Sequence, residues 1–294
     1  MNSKSRALVF DRAQDLKRWR ESLAYTGSQP LLGFVPTMGF LHEGHLSLIR
    51  EAKRRAEYVV VSIFVNPSQF NNASDFEHYP RNEERDIHLA SLAGADAIFI
   101  PTVDEIYPHG AETMVNVGAL AQNLCGATRP GHFQGVCTVV TALFNLVGCQ
   151  VAVFGEKDYQ QLAIIRRMTR DLHLPVEIIG LPTYRETNGL AMSSRNARLS
   201  KRARQKAGSI YAALKEAQSL WQQGQTQLSI LEQKIKASLP TNIRIDYLCF
   251  CNPQTLQLLD ISKQSESSES TILVAIACFM EEVRLIDNII LAPL

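Results

Sequence analysis

Five short apolar runs, separated by four longer stretches with helical spacing, constrain this chain more than any other feature. The runs are "LLGFVP" (31–36), "YVVVSIFV" (58–65), "DAIFIP" (96–101), "VAVFG" (151–155) and "VEIIG" (176–180). They are apolar at successive positions rather than alternate ones, so each strand must be covered on both faces. Between them lie "HLSLIREAKRRAEY", "NEERDIHLASLAG", "GVCTVVTALFNLVG" and "DYQQLAIIRRMTRDLH", whose apolar residues recur every three or four positions. Strand, helix, strand, helix implies right-handed crossovers and a parallel sheet clothed by helices, a doubly wound α/β domain.

After about residue 187 the pattern changes. "RLSKRARQKAGSIYAALKEAQSLWQQ" and "TQLSILEQKIKASL" are amphipathic helices, followed by strand patterns "RIDYLCFC", "TILVAIACF" and "VRLIDNIIL". The expected organisation is therefore a first domain over 1–187 and a smaller α+β domain over 188–294. The Ser/Glu-rich "SKQSESSES" (262–270) is expected as an exposed loop. Lys53-Arg54-Arg55 and the basic cluster 201–206 are expected as solvated helix faces. No internal repeat is visible.

Lys plus Arg number 30 against 29 acidic residues, a net charge of +1. With no global field to attract nucleic acid or anionic lipid, any anion must be held by local arrangement. No apolar run approaches the ~20 residues of a membrane span, and "MNSKSRALVF" lacks the apolar core of a secretion signal. The six cysteines (Cys125, Cys137, Cys149, Cys249, Cys251, Cys278) form no CxxC pair and sit among apolar neighbours. They read as buried free thiols in a reducing cytosol, in preference to a zinc or redox site.

In an open α/β sheet, ligands sit outside the carboxyl ends of the strands. The first strand ends near Pro36, so "TMGFLHEG" occupies that rim and feeds the helix beginning near His45. A helix N-terminus offers unpaired N–H groups and partial positive charge, which suits phosphate. Gly39 and Gly44 remove side chains where phosphate would approach the backbone. His42 and His45 stand one helical turn apart and can donate to one anion. "HEGH" resembles the zinc motif H-E-x-x-H but is one residue short, and Gly44 weakens the helix there. A pair of satisfied surface histidines in a turn is the bland alternative, and on this motif alone it carries about equal weight.

Other loops join the first on the same rim. "FGEKDYQQL" (154–162) supplies Gly155, Glu156, Lys157 and Asp158, a lysine suited to phosphate and a carboxylate suited to ribose. "AMSSRNARLS" (191–200) brings Ser193, Ser194 and Arg195 at the start of the second domain, "FVNPSQF" (64–70) brings Gln69, and "TRPGHFQGV" (128–136) brings Arg129 and His132. Single charges in loops are usually solvated, but five polar loops on one sheet rim point to a shared ligand.

These segments, "PTMGFLHEGHLSLIR", "VNPSQF", "YPR", "RPGHFQGV", "GEKDYQQL", "MSSRN" and "RLIDN", resemble in content and order the pantothenate synthetase (pantoate–β-alanine ligase) family of the nucleotidylyltransferase superfamily. The resemblance spans Pro36 to Asn288. "HEGH" by itself indicates only the superfamily, whereas "GEKDYQQL" followed by "MSSRN" is more specific. It implies a Rossmann-like nucleotidylyltransferase fold and a two-step, ATP-dependent condensation of pantoate with β-alanine to pantothenate. In the first step, pantoate's carboxylate attacks the α-phosphate of ATP to give pantoyl-adenylate and pyrophosphate. In the second, the amine of β-alanine displaces AMP.

Carried over residue by residue, the resemblance implies an ATP site of Met38, Gly39, Phe40, Leu41, His42, Glu43, Gly44 and His45, with His45 as proton donor. It adds Gly155, Glu156, Lys157 and Asp158, then Met192, Ser193, Ser194 and Arg195, and the backbone at Tyr184 against adenine. Gln69 would contact pantoate and β-alanine, and Gln161 pantoate. Phe40 stands where alanine is common in the family, and Tyr184 where an aliphatic residue is expected. His42, His45, Lys157 and Arg195 are the expected catalytic donors, placed to neutralise charge as pyrophosphate leaves. Magnesium is expected with the ATP phosphates. Asp86 is a candidate contact for it, weighed against an ordinary solvated helix carboxylate. A homodimer through the first domain and a cytoplasmic location are implied as well.

The second domain, hinged near 181–190, reads as a lid that keeps water from the adenylate. Neither nucleic acid nor membrane is expected as a partner. Two other functions stand beside this one. A nucleotidylyltransferase that stops after nucleotide transfer is disfavoured by the paired amides Gln69 and Gln161. A nucleotide- or RNA-binding module without catalysis is disfavoured by the balanced charge.

Overall fold

The computed structural model describes residues 6–23, 30–262 and 271–294. Most of "SKQSESSES" falls outside these residues. In chain order the elements are β1 (Leu8–Phe10), α1 (Ala13–Leu23), β2 (Leu32–Thr37), α2 (Glu43–Arg55), β3 (Tyr58–Ile63), α3 (Ala73–Glu77), α4 (Glu83–Ala93), β4 (Ala97–Phe99) and α5 (Val103–Ile106). They continue with α6 (Cys125–Thr128), α7 (His132–Val147), β5 (Val151–Gly155), α8 (Tyr159–Asp171), β6 (Glu177–Leu181), α9 (Lys201–Ala207), α10 (Ser209–Gln222), α11 (Leu228–Ser238), β7 (Ile243–Cys251), β8 (Ile272–Met280) and β9 (Val283–Leu291).

Two compact units divide the chain. One takes the residues up to Val117 with Arg129–Glu156 and Gln161–Pro182; the other takes Gly118–Thr128, Lys157–Gln160 and Thr183–Leu294. The segments 118–128 and 157–160 thus lie with the later part of the chain, although their neighbours in sequence lie with the earlier part.

The first unit is built on a six-stranded sheet of order β1-β4-β3-β2-β5-β6, parallel at every pairing. The continuous apolar runs become its strands: Phe34 and Val35 of β2, Val59, Val60 and Val61 of β3, and Ala152 and Val153 of β5 are 0% exposed. The three-residue β1 is a strand that the apolar runs do not announce. Its Leu8 and Val9 are exposed, because it pairs only with β4 at the sheet edge. Amphipathic α2 buries Leu46, Leu48, Ile49 and Ala52 against the sheet. Each large apolar side chain so buried stabilises by ~1.5–3 kcal/mol. Strand order reverses between β2, whose chain goes on to β3, and β5, whose chain goes on to β6. In open α/β sheets such a reversal marks where ligands bind, outside the carboxyl ends of the strands, which here are those of β2 and β5.

The second unit carries the antiparallel sheet β7-β8-β9, with a register irregularity between Ile245 and Tyr247. The long basic helix expected from the sequence is two helices, α9 and α10, broken at Gly208. A side chain at Gly208 would begin 2.3 Å from the Asn188 carbonyl oxygen, so the chain must be bare there. Trp221 is fully buried, and its indole N–H donates to the Ala292 carbonyl at 2.6 Å. All six cysteines are free thiols; Cys249 is half-buried and the other five are buried. Burial pushes the thiols of Cys137, Cys149, Cys251 and Cys278 up to about 12, so they stay protonated and inert at neutral pH.

Candidate active site

The loop leaving β2 is stitched to β3 before it reaches the histidines. Thr37 Oγ1 donates to the Ser62 carbonyl at 2.7 Å and accepts the Gly39 N–H at 3.2 Å. The chain then turns through the left-handed region at Gly39 (φ 79) and again at Phe40 (φ 49). For a non-glycine residue that conformation costs ~1–2 kcal/mol. A side chain at Gly39 would begin 3.0 Å from Ile63 and 3.1 Å from Asp86, so it would be crowded as well as strained. Asp86 accepts the Phe40 N–H at 2.6 Å on one oxygen and the Leu41 N–H at 2.7 Å on the other. Arg85 donates to the Leu41 carbonyl at 2.9 Å and lies over the Phe40 ring, 5.5 Å from its centroid.

Burial pushes the Asp86 carboxyl above the usual carboxylate range, opposed by the Leu41 and Phe40 N–H bonds and by Arg85. Because both oxygens receive N–H donors, the ionised form is the one that fits. Leu41 turns its side chain into the core at 0% exposure, so only its backbone faces the loop.

His42 is the extended N-cap residue of α2. Its ring stacks on that of His45, with centroids 4.0 Å apart and planes 27° apart. The His42 N–H donates to His45 Nδ1 at 3.3 Å, which leaves the ring proton of His45 on Nε2. Imidazoles that share a metal aim their nitrogens at one point, whereas these stack face to face. Glu43, in the first turn of α2, is ion-paired with Arg50 at 2.5 Å.

Gln69 ends the 3-10 turn Pro67–Gln69 after β3 and is buried at 8% exposure. Its Nε2 donates to Met38 Sδ at 3.0 Å, which joins the loops that follow β2 and β3. Its Oε1 accepts from Asn66 Nδ2 at 3.1 Å. The orientation of Asn66 is fixed in turn, because its Oδ1 accepts Tyr107 Oη–H at 2.8 Å and Ser68 Oγ–H at 2.9 Å. The Gln69 carbonyl accepts from His132 Nδ1 at 2.8 Å and from Arg129 at 3.2 Å, while Arg129 also donates to His132 Nε2 at 3.1 Å. A carbonyl accepts and a guanidinium donates, so His132 carries its proton on Nδ1. At Gly135, in the first turns of α7, a side chain would begin 2.5 Å from the Ser68 carbonyl oxygen.

The other motif of the first unit lies after β5. Among the described residues, and apart from its two chain neighbours, no atom lies within 4 Å of where a Gly155 side chain would begin, which leaves open space beside that backbone. Gln161, on α8, is half-buried.

In the second unit Lys157 pairs with Asp158 at 3.3 Å, and its own carbonyl accepts from Asn288 Nδ2 at 2.9 Å. Tyr184 opens a short hairpin in which its carbonyl accepts the Met192 N–H at 2.9 Å, while the residue is 43% exposed. Ser193 caps the 3-10 turn Ser194–Arg198 by accepting the Arg195 N–H at 3.3 Å. Asn196 closes the hairpin from below, donating to Glu186 at 2.8 Å and to the Ala191 carbonyl at 3.1 Å. Arg185 makes a two-pronged pair with buried Asp287 at 2.6 and 2.9 Å and lies 3.4 Å from the Tyr211 ring centroid.

Sequence reasoning missed the supporting residues Asn66, Tyr107, Arg185, Asn196 and Asp287. Asp287 was legible. In "VRLIDNIIL" it falls on the same alternate phase as Val283, Leu285, Ile289 and Leu291, all buried, so a carboxylate there requires a buried partner. Asn66 and Tyr107 carry no comparable signal, since their meeting depends on the fold.

The profile of the pantoate-beta-alanine ligase family matches residues 8–290. A pantothenate synthetase of Thermoanaerobacter sp. (strain X514) is 44% identical over 285 residues, 96% of this chain and 98% of the relative. The crystal structure of pantoate-beta-alanine ligase (pantothenate synthetase) from Thermus thermophilus superposes with a TM-score of 0.87 at 44% identity, covering 97% of this chain and 99% of that one. The Francisella tularensis pantoate-beta-alanine ligase, solved with β-γ ATP and β-alanine, superposes with a TM-score of 0.78 at 34% identity over 96% of this chain and 97% of its own. The chain belongs to the pantoate–β-alanine ligase family.

Proposed function

We propose that this chain condenses pantoate with β-alanine in two steps, through a pantoyl-adenylate. As a member of this family it is a ligase that forms pantothenate at the expense of ATP. The observation that carries the residue-level reading is the position of two motif loops. The loop that ends in His42 and His45 and the loop at Gly155–Glu156 leave β2 and β5, the adjacent strands on either side of the reversal in strand order. A crevice there is where open α/β sheets take their ligands.

In the first step a carboxylate oxygen of pantoate bonds to the α-phosphorus of ATP, and the bond to the bridging oxygen of pyrophosphate breaks. Negative charge grows on the leaving pyrophosphate, so donors that strengthen with that charge lower the barrier. His45 Nε2–H is such a donor, with His42 stacked against it. Lys157 and Arg195 are the cations assigned to the phosphates, and Met38 to His45, Gly155 to Asp158, Met192 to Ser194 and the Tyr184 backbone the groups that hold ATP. In the second step the β-alanine nitrogen bonds to the acyl carbon, AMP leaves with the bonding pair, and the amine loses a proton. Gln69 and Gln161 are assigned to pantoate. The Asn66 contact occupies the Gln69 amide oxygen, so the amide can offer a substrate oxygen only the N–H of Nε2 that is not given to Met38.

Magnesium is expected on the ATP phosphates, as is usual for a cation that keeps several waters. Among the described residues no three His, Cys, Asp or Glu side chains converge to hold it, and Asp86 is committed elsewhere. A protein cage for the ion therefore does not fit, and no step is routed through one. A homodimer and a cytoplasmic location belong to the same reading.

The test is an assay with ATP, pantoate and β-alanine that follows pantothenate and AMP together. AMP release that depends on β-alanine is expected. Nucleotide transfer that ends at a dinucleotide or an activated alcohol overturns the ligase reading. His45→Ala should lower kcat by ~10²–10³, the loss of one donor to a developing oxyanion. Full activity in that variant removes His45 from the mechanism.

A further inference from the structure

We infer that Asp86 is a positioning residue that holds the Gly39–Leu41 turn in the conformation presenting His42 and His45, and that it is not a magnesium ligand. The inference rests on the reading of that loop as the ATP side. Asp86 sits one turn into α4, where the helix N-terminus favours a carboxylate. Each of its oxygens takes one of two successive N–H groups, from Phe40 and from Leu41. Its side chain is 1% exposed, and Gly39 closes on it from the loop side, 3.1 Å from where a side chain would begin. A cation with its own water shell has no approach to either oxygen.

The grip is two-handed. Asp86 takes the N–H groups of the turn, and neighbouring Arg85 takes the Leu41 carbonyl and covers the Phe40 ring. The turn needs holding, because Phe40 is a non-glycine residue in the left-handed region. Without the carboxylate, the N–H of fully buried Leu41 would lack an acceptor. The next residue, His42, starts α2 and gives its N–H to His45. Any drift of the turn is therefore passed to both imidazoles, and a displacement near 1 Å of a catalytic group can cost ~10²-fold.

The decisive variant is Asp86→Asn, which keeps the shape but turns one acceptor into an N–H₂ group facing an N–H. Its kcat/KM for ATP should fall by ~10²-fold, with the pantoate KM within about twofold of wild type. Raising magnesium should restore nothing. Hydrogen exchange at the Phe40 and Leu41 amides should quicken while exchange in β3 and in β8 stays as in wild type, which shows that both units are folded. Recovery at high magnesium would make Asp86 a metal ligand and overturn the inference. Wild-type ATP kinetics with unchanged exchange would overturn it as well.

If Asp86→Asn does not fold, Arg85→Met removes the other hand while leaving the carboxylate. It should show a smaller fall in ATP kcat/KM, again indifferent to magnesium, and wild-type kinetics there would overturn the inference. His45→Ala separates the two claims. If it is impaired while Asp86→Asn is not, only the positioning role fails; if it keeps full activity, the ATP-side reading fails first.

Discussion

The turn after β2 and the turn after β3 are neighbours on one sheet rim, yet the groups they present are held differently. Gly39–Leu41 is gripped by ions, the Asp86 carboxylate on its N–H groups and the Arg85 guanidinium on its carbonyl. The side chain of Gln69 is gripped by neutral groups, with Asn66 on the amide and Tyr107 and Ser68 behind Asn66. Its carbonyl takes one bond from His132 and one from the Arg129 guanidinium, so the neutral grip is confined to the amide side chain. The difference follows from what each turn is proposed to meet. Phosphates carry several charges and must find donors already fixed, and a buried carboxylate bonded to backbone fixes them with charge-assisted bonds. A hydroxy-acid needs a donor of one polarity, and a chain of amides and hydroxyls sets that polarity without adding charge. Ionic grips fail abruptly when one partner goes, whereas a neutral network spreads its support over bonds of ~0.5–1.5 kcal/mol each.

The largest expected effect tests the charged side. Lys157→Ala should lower pyrophosphate formation in a single turnover by at least ~10³, several kcal/mol of lost electrostatic stabilisation. Supplied with synthetic pantoyl-adenylate, the same variant should make pantothenate at a rate closer to wild type, because AMP leaves with less accumulated charge than pyrophosphate. Equal losses in both half-reactions would mean that Lys157 only holds the adenylate, and the distinction between a charged and a neutral side would lose its kinetic meaning.

A smaller effect is expected on the neutral side. Gly135→Ala would push a methyl group to 2.5 Å from the Ser68 carbonyl oxygen and 2.8 Å from the Gln69 nitrogen. The turn must move, at a cost of ~1–3 kcal/mol in stability as for other overpacked sites. The pantoate KM should rise by ~10-fold, about 1.4 kcal/mol of binding, with the ATP KM nearly unchanged. Gln161→Ala should show the same split. If ATP and pantoate KM rise together in either variant, the two turns do not serve separate substrates.

Much of this arrangement was legible before any coordinates. The runs at 31–36, 58–65 and 151–155 announce buried parallel strands because no half-exposed strand tolerates Val59, Val60 and Val61 in succession. His42, His45, Gly155 and Lys157 stand out as candidates because glycine and histidine at a strand-to-helix rim carry a local chemical reason. The supports were harder to see. Asp86 read as either a solvated helix carboxylate or a metal contact, since its partners lie more than forty residues away and only the packing of α4 beside the loop joins them. Asn66 and Tyr107 are likewise separated by 41 residues. β1 is too short for any periodicity to show, and the break between α9 and α10 came from one glycine whose reason, the Asn188 carbonyl, lies outside the helix.

The smallest effect is expected where the proposed ATP site uses backbone alone. Tyr184 is 43% exposed, and its carbonyl is already tied to the Met192 N–H within a hairpin that Asn196 closes through the Ala191 carbonyl. The hairpin keeps its shape without the tyrosine ring, because its ties run through main chain, Asn196 and the Arg185–Asp287 pair. Tyr184→Ala should therefore change the ATP KM by less than about twofold, the ~0.5 kcal/mol typical of a surface substitution. Asp287→Asn supplies the contrast. It leaves Arg185 with half its partner in a buried setting and should disturb both the hairpin and the ATP KM far more. A large rise in ATP KM for Tyr184→Ala would show that the aromatic ring stacks on the base. The aromatic residue at 184 would then be a feature of this chain's own nucleotide pocket, and a side-chain contact would replace the backbone one assigned to that position.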